Sequence, residues 1–251
     1  MADTNRGRVR VEDGHKRVRV YLGGELVADT LNPKYVWEKP YYPTYYFSPA
    51  DVHMELLVDT GEAYRSPSRG TASVHTVKAG DQEAVAAARV WDQAEIDELA
   101  GFVSFGWSKM SNWFEEEEEV YVHPRDPYSR IDILQSSRHV EVFIDDVKVA
   151  DTHQPRLLFE TGLPVRYYIP KTDVRLDVLV DSDLHTACPY KGTADYWHVQ
   201  SSQGLVENIA WSYPTPLVES ANIAGYLSFY DEKVDIVVDG RPQQRPKTHL
   251  S

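Results

Sequence analysis

Apolar and polar residues alternate with period two over much of the chain. Val18, Val20 and Leu22 alternate with Arg19 and Tyr21, Gly23-Gly24 follows, and Leu26-Val27-Ala28 resumes. Alternation, a two-residue turn that tolerates positive φ, and a return strand together predict a β-hairpin. Val140, Val142 and Ile144 alternate likewise, with Asp145-Asp146 at the turn. Further strands are predicted at Tyr45-Tyr46-Phe47, His53 to Val58, Arg166 to Ile169, Arg175 to Val180, Phe102 to Phe105 and Tyr226 to Phe229. Val234 to Val238 is expected to close a sheet. Ala84 to Val90 suits a helix by propensity, but its repeat counterpart, Gly204 to Ala210, is richer in branched residues, so both are read as strand. Short helical turns are expected at Asp92 to Leu99, where Asp92 and Glu95 have capping-box spacing, and at Pro216 to Ala221 behind Thr215.

Laid against itself, the chain repeats. Val27-Ala28-Asp29-Thr30 recurs as Val149-Ala150-Asp151-Thr152, an offset of 122 residues. Without a gap, Pro33 then falls on Pro155, Glu38 on Glu160, Tyr45-Tyr46 on Tyr167-Tyr168, Asp51-Val52 on Asp173-Val174, and Leu57-Val58-Asp59 on Leu179-Val180-Asp181. Ser66-Pro67-Ser68-Arg69-Gly70-Thr71-Ala72 lands on Cys188-Pro189-Tyr190-Lys191-Gly192-Thr193-Ala194. Roughly a third of positions 18 to 77 are identical, which a shared fold explains. Beyond that the offset drifts, with Trp91 set against Trp211 and Gly101-Phe102-Val103-Ser104-Phe105 against Gly225-Tyr226-Leu227-Ser228-Phe229. The pattern predicts a mainly β protein of two tandem homologous domains with few short helices, each on the order of 110 residues. They are placed at 1–114 and 136–251, joined by a segment at 115–135 that holds the Glu115 to Glu119 run and His123-Pro124-Arg125-Asp126-Pro127. Such a charge run is read as a solvated face or linker.

Composition narrows the partners. The 251 residues carry 39 Asp and Glu against 26 Lys and Arg, a formal net charge of -13 that repels a polyphosphate backbone. Nucleic acid is therefore not expected as a partner. A single cysteine, Cys188, allows neither an internal disulfide nor a four-cysteine zinc site. Met1 to Arg10 lacks an apolar signal-peptide core, and no stretch approaches the roughly 18 apolar residues of a membrane helix, so a cytoplasmic protein is expected.

Thr186-Ala187-Cys188-Pro189-Tyr190-Lys191-Gly192-Thr193-Ala194, followed by Tyr196-Trp197, resembles the signature of the family known as domain of unknown function 427 (DUF427). The Val-Ala-Asp-Thr return, Tyr167-Tyr168-Ile169-Pro170, Ala210-Trp211-Ser212-Tyr213-Pro214 and Gly225-Tyr226-Leu227-Ser228-Phe229 carry the same resemblance, which covers nearly the whole chain as two copies. It implies a compact, strongly bent sheet similar to the β-tent of methionine sulfoxide reductases and zinc-binding exchange-factor-like proteins. Those relatives commonly hold zinc with Cys-x-x-Cys pairs, which this chain lacks, so neither metal nor cofactor is expected.

Candidate chemistry centres on Cys188-Pro189-Tyr190-Lys191-Gly192. A lysine three residues from a thiol would activate it as a nucleophile, and the glycine would let the loop backbone approach a ligand; the alternative is a packed cysteine beside a turn. The first copy has Ser66 and Arg69 there, keeping the charge and losing the thiol, which favours Lys191 and Arg69 as anion anchors over Cys188 as a catalyst. Glu160, Tyr167 and Asp173 equal Glu38, Tyr45 and Asp51, either for the fold or for a shared site. Tyr196 and Trp197 replace Val74 and His75, offering the second copy an aromatic wall. His123, Arg125, Asp126 and Asp132 lack metal-ligand spacing and are read as interdomain salt bridging. The leading expectation is a small anionic or nucleotide-like ligand held in the second domain by Lys191, Glu160, Tyr167, Tyr196 and Trp197. The alternatives are an enzyme using Cys188, Glu160 or Asp173, and an interaction module whose glutamate run docks a basic protein partner.

Overall fold

The computed structural model describes residues 9–248, so most of the polar N-terminal stretch lies outside the described residues. The chain divides into two units, Met1–Asp126 and Pro127–Ser251. The first has β1 (Arg10–Asp13), β2 (Val18–Leu22), β3 (Glu25–Thr30), β4 (Lys34–Trp37), β5 (Thr44–Phe47), β6 (Leu57–Ser66), β7 (Gly70–Ala79), β8 (Gln82–Ala94), β9 (Val103–Phe105), β10 (Asn112–Glu115) and β11 (Glu118–Glu119). The second has β12 (Ile131–Gln135), β13 (Val140–Ile144), β14 (Val147–Thr152), β15 (Arg156–Glu160), β16 (Arg166–Pro170), β17 (Leu179–Cys188), β18 (Gly192–Ser201), β19 (Gly204–Ser212), β20 (Tyr226–Phe229), β21 (Asp235–Val238) and β22 (Arg241–Pro242).

Both units are mainly β and share one topology. A seven-stranded sheet runs β1-β4-β5-β9-β8-β7-β6 in the first and β12-β15-β16-β20-β19-β18-β17 in the second; a four-stranded sheet runs β11-β10-β2-β3 and, correspondingly, β22-β21-β13-β14. The registers repeat too: Val18 lies opposite Thr30 and Val140 opposite Thr152, with a bulge after Val20 and after Val142. The β2–β3 turn has Gly23 and Gly24 at positive φ, and Asp145 and Asp146 take the same left-handed backbone in the second unit.

Each large sheet is buried on both faces, as the period-two pattern requires. Tyr45 and Phe47 face the core against the four-stranded sheet with Val18, Val20, Val103, Phe105 and Trp113. Tyr46, between them in sequence, packs on the opposite face with Val36, Ala72, Trp91 and Leu99. In the second unit Ile169 faces Val140, Val142, Leu227 and Ile236, while Tyr168 faces Leu158, Tyr196, Trp211 and Tyr213.

Several expectations are corrected. His53 to Val58 and Arg175 to Val180 are not strands throughout: 3-10 turns occupy Met54–Leu56 and Leu176–Val178. Val52 and Val174 bridge to the small sheet, while Leu57 and Leu179 begin an edge strand of the large one, so the chain must bend between them. The glutamate run is not a linker, because Asn112–Glu115 pairs with β2 and Glu118–Glu119 pairs with β10. The expected connecting segment 115–135 is thereby divided: its first part completes the first unit, and Ile131–Gln135 is the first strand of the second.

Trp91 does not correspond to Trp211. His75 faces Ala88, and Trp197 faces Ala210; Arg89 and Trp211 then lie opposite Ser104 and Ser228. The offset of 122 therefore holds along the whole of β8, so Arg89 matches Trp211 and Trp91 matches Tyr213. Ala86 and Asn208, at φ 52 each, mark the same place. No helix among the described residues is long and apolar enough to cross a membrane.

Candidate functional site

Some residues shared by the two copies hold the fold. Thr30 Oγ1 donates to Asp51 Oδ2 at 2.7 Å, and Thr152 Oγ1 donates to Asp173 Oδ2 at 2.6 Å. Each bond ties the end of the hairpin return to the short turn that follows β5 or β16, so Asp51 and Asp173 have a structural partner rather than a free carboxylate. Gly70 and Gly192 sit at φ +93 and +97, and a Cβ on Gly70 would lie 2.2 Å from the Gln93 carbonyl oxygen. The backbone that approaches this glycine belongs to the chain itself.

Glu38, just after β4, and Glu160, at the end of β15, lie beside the basic residue in the turn of the β6–β7 or β17–β18 hairpin. Lys191 Nζ donates to Glu160 Oε2 at 2.5 Å, with both side chains nearly buried. Arg69 pairs with Glu38, donates Nη1 to the Tyr46 hydroxyl at 2.9 Å and lies over the Trp91 ring at 4.8 Å. The Tyr46 hydroxyl in turn donates to Glu38 Oε1 at 2.7 Å. Burial, reinforced by Glu38, pushes the Tyr46 hydroxyl far above its usual range. Both cations are thus matched internally, the first within a three-membered network.

The predicted aromatic wall of the second copy is split. Tyr196 packs on the outer face of the sheet, where its hydroxyl meets Thr186 Oγ1 at 2.9 Å. Trp197, the next residue, packs against the core between sheets and donates to Asp181 Oδ1 at 3.1 Å. Tyr167 also borders that core. Strand alternation therefore brings Glu160, Lys191 and Tyr196 to one face and puts Tyr167 and Trp197 on the other. Cys188 is half-buried beside the Tyr196 cluster, and its thiol has no hydrogen-bond partner among the described residues; Lys191 is turned to Glu160 instead.

A concavity lies in the first domain, where β5 begins and β9 ends. A cleft of about 220 Å³ is lined there by Lys39, Tyr42, Arg89, Ser104, Trp107 and Trp113, among others. Trp107 and Trp113 stack at 4.4 Å, and Tyr42 stacks on His123 at 3.9 Å. Glu38 also borders the cleft, with its carboxylate engaged by Arg69 and Tyr46. Arg89 is half-buried, lies 3.7 Å over the Tyr64 ring and has no carboxylate partner among the described residues. Lys39 is exposed and likewise lacks one. Burial, opposed by a bond to the Pro124 carbonyl, holds His123 below the ordinary histidine range.

The corresponding part of the second domain is filled with internal charge. Arg166, matching Thr44, donates to Glu232 Oε2 at 2.8 Å and Oε1 at 2.6 Å, and lies 3.3 Å from Asp231 Oδ1. Trp211 replaces Arg89 and donates to the Tyr168 hydroxyl at 3.1 Å. Sequence reasoning missed Arg89, Lys39, Tyr42 and Trp107. The signal was present in the Arg89 to Trp211 exchange, which the mistaken matching of Trp91 with Trp211 concealed.

The remaining polar candidates have local partners. Glu115 is buried and accepts from Tyr45 and Lys16, each at 2.5 Å, while Glu117 pairs with Arg19 and Glu119 accepts from Asn112. Asp126 accepts from Trp37 Nε1 at 2.8 Å, and Asp132 pairs with Arg130. His139, Glu141 and Asp151 could converge on a cation, but the Lys148 ammonium is 2.6 Å from Glu141 and 2.7 Å from Asp151 and serves those oxygens.

No curated protein matches the chain. A family model described as "Domain of unknown function (DUF427)" matches residues 10–116 and 132–240, one match within each unit. The duplicated topology and the paired matches have one meaning: the chain belongs to the DUF427 family, as a tandem repeat of its domain.

Proposed function

We propose that the protein binds a small planar anion, of nucleotide-like or aromatic carboxylate type, in the cleft of its first domain. The carrying observation is Arg89, a half-buried guanidinium without a carboxylate partner among the described residues, at a cleft that also presents Trp107 and Tyr42. Partial desolvation of an unmatched cation is unfavourable until an anion supplies the missing charge. Lys39 adds a second positive charge at the rim, and flat aromatic faces suit a ring. The expected ligand class is the one read from the sequence, but its support moves from the second domain to the first. Lys191 is matched by Glu160, whereas Arg89 is not.

The rival readings have less behind them. Cys188 has neither a base nor a cation bonded to its sulfur, and of the glutamates expected to dock a basic partner Glu115 is buried against Tyr45 and Lys16 while the exposed Glu117 already pairs with Arg19. The test is a titration followed by tryptophan fluorescence, since Trp107 and Trp113 line the cleft. Adenosine monophosphate and 4-hydroxybenzoate are expected to bind, and adenosine and 4-hydroxybenzamide to bind at least tenfold more weakly. Arg89→Gln should cost roughly 1.5 to 3 kcal/mol, or about 10- to 100-fold in affinity. Equal affinity for the charged and neutral members of each pair would remove anion recognition.

A further inference from the structure

The second domain holds a buried charge that its neighbours only half satisfy. Arg166 from β16 donates one N–H from each terminal nitrogen to Glu232, at 2.8 and 2.6 Å, and Thr248 Oγ1 donates to the same carboxylate at 2.6 Å. One positive charge is thus matched by one negative charge. Asp231, adjacent in the chain, brings a second negative charge at only 7% exposure. Its Oδ1 is buried and lies 3.3 Å from Arg166 Nη1, an ion pair too poorly aligned for a good hydrogen bond, and it has no other donor among the described residues. The three charges sum to minus one in a place where water has little access.

That surplus sits at an opening. A cleft of about 200 Å³ is lined by Asp231 and Tyr167, with apolar walls from Val165, Val234, Ile236 and Pro246. In the first domain the matching Tyr45 donates to Glu115 at 2.5 Å. In the second, the Tyr167 hydroxyl has no hydrogen-bond partner among the described residues, because Val238 stands in β21 at the register position where β10 carries Glu115. A buried carboxylate held only by its ion pair with Arg166 and a phenol without a hydrogen bond among the described residues therefore border one small cleft, walled mostly by apolar side chains and completed by Gln243 and Gln244.

We propose that this cleft binds a small primary amine with an apolar body, its ammonium held by Asp231 Oδ1 and assisted by the Tyr167 hydroxyl. An ammonium supplies the donor that Oδ1 lacks and cancels the surplus charge, while the apolar walls cover the body of the ligand. Arg166 does not repel it as a free cation would, since Glu232 already matches that charge. The other charged or titratable groups that act on Asp231 and Tyr167 are Glu232 and, on Tyr167, Arg138. Burial, partly offset by Arg166, pushes the Asp231 carboxyl up to about 6. Proton and amine therefore compete for the same oxygen, and binding strengthens as pH rises through that value.

The probe is cyclohexylamine, with cyclohexanol as its neutral counterpart, titrated into the full chain by calorimetry at pH 7.5 and pH 5. The amine is expected to bind about tenfold more weakly at pH 5, where only about a tenth of a carboxyl titrating near 6 is ionised. Asp231→Asn should abolish binding and Tyr167→Phe should weaken it several-fold. In the unaltered protein, carbon-13 spectra should show the Asp231 titration midpoint falling when the amine is added. Cyclohexanol binding as tightly as cyclohexylamine, equal affinity at the two pH values, or an Asp231 midpoint unmoved by the amine would each overturn the proposal.

Discussion

The two domains concentrate most of their buried aromatic side chains on different faces of the same sheet. In the first, Tyr35, Tyr45, Phe47, Phe105 and Trp113 crowd the core between sheets, and Tyr46 and Trp91 are the buried aromatics outside it. In the second, the inner core is largely Val, Ile and Leu, and Tyr168, Tyr196, Trp211 and Tyr213 build the outer cluster. Close packing can be met by either arrangement so long as volume is conserved across the layer. The fold is therefore specified by alternation and by a few polar ties, while the identity of the packed residues is free to change which end of the sheet opens. Rings drawn to the inner face leave Trp107 and Trp113 beside an open cleft in the first domain; rings drawn to the outer face accompany a buried Arg166, Asp231 and Glu232 cluster in the second.

The sharpest way to break the comparison is at the hairpin glycines. Gly70→Ala should cost about 4 kcal/mol, combining left-handed backbone strain with overlap against the Gln93 carbonyl. At Gly192 the nearest backbone oxygen, of Thr215, is 3.2 Å from a built Cβ, so Gly192→Ala should cost about 2 kcal/mol, mostly strain. Domain-resolved hydrogen exchange in urea separates the two losses, and equal values would show that the hairpins are packed alike.

A pH series sharpens the contrast further. Burial raises the Asp231 carboxyl to about 6 from 3.8, so the folded state holds that proton more tightly. Its contribution is full below about 4 and is lost as pH rises to about 6, up to roughly 3 kcal/mol. Glu232 runs the other way: burial opposes its ionised form, but bonds from Arg166 and Thr248 win and hold it down at about 2. Its contribution is present above about 4.5 and falls as pH drops toward 2. Asp231→Asn should remove the decline between pH 4 and 6 from the second domain and leave the first unchanged, as thermal unfolding across that range would register.

The smallest expected effect is a matched one. Thr30→Val and Thr152→Val each remove two bonds, one to an aspartate and one accepted from the backbone N–H of Asn32 or Gln154, and should each cost about 1.5 kcal/mol. Unequal costs would mean that Asp51 and Asp173, alike in geometry, are not alike in use.

Period-two alternation and the unbroken offset were enough to read two copies of a mainly β domain, because burial on both sheet faces forces that pattern on the residues. Glu115 defeated the same logic: its charge reads as solvent-facing, and only tertiary folding brings Tyr45 and Lys16 to it. Glu160 and Lys191 were singled out as parts of a ligand site, and the fold does bring them together, but as an ion pair with each other, because a buried acid and base at the ends of adjacent elements satisfy one another. Tyr196 and Trp197 were wrongly joined in one wall, although neighbours on a strand must point to opposite faces. Arg89 stayed hidden because its exchange with Trp211 shows only at the unbroken offset of 122, and its lack of a carboxylate partner among the described residues shows only once the chain is folded.

The most direct measurement is an amide-resolved NMR titration of the whole chain with adenosine monophosphate. Shifts are expected along 38–45, 86–89 and 104–107, all in the first domain, and should disappear in Arg89→Gln. Shifts centred on Lys191 and Glu160, or a first domain left unperturbed at saturating ligand, would contradict the division of roles between the two copies.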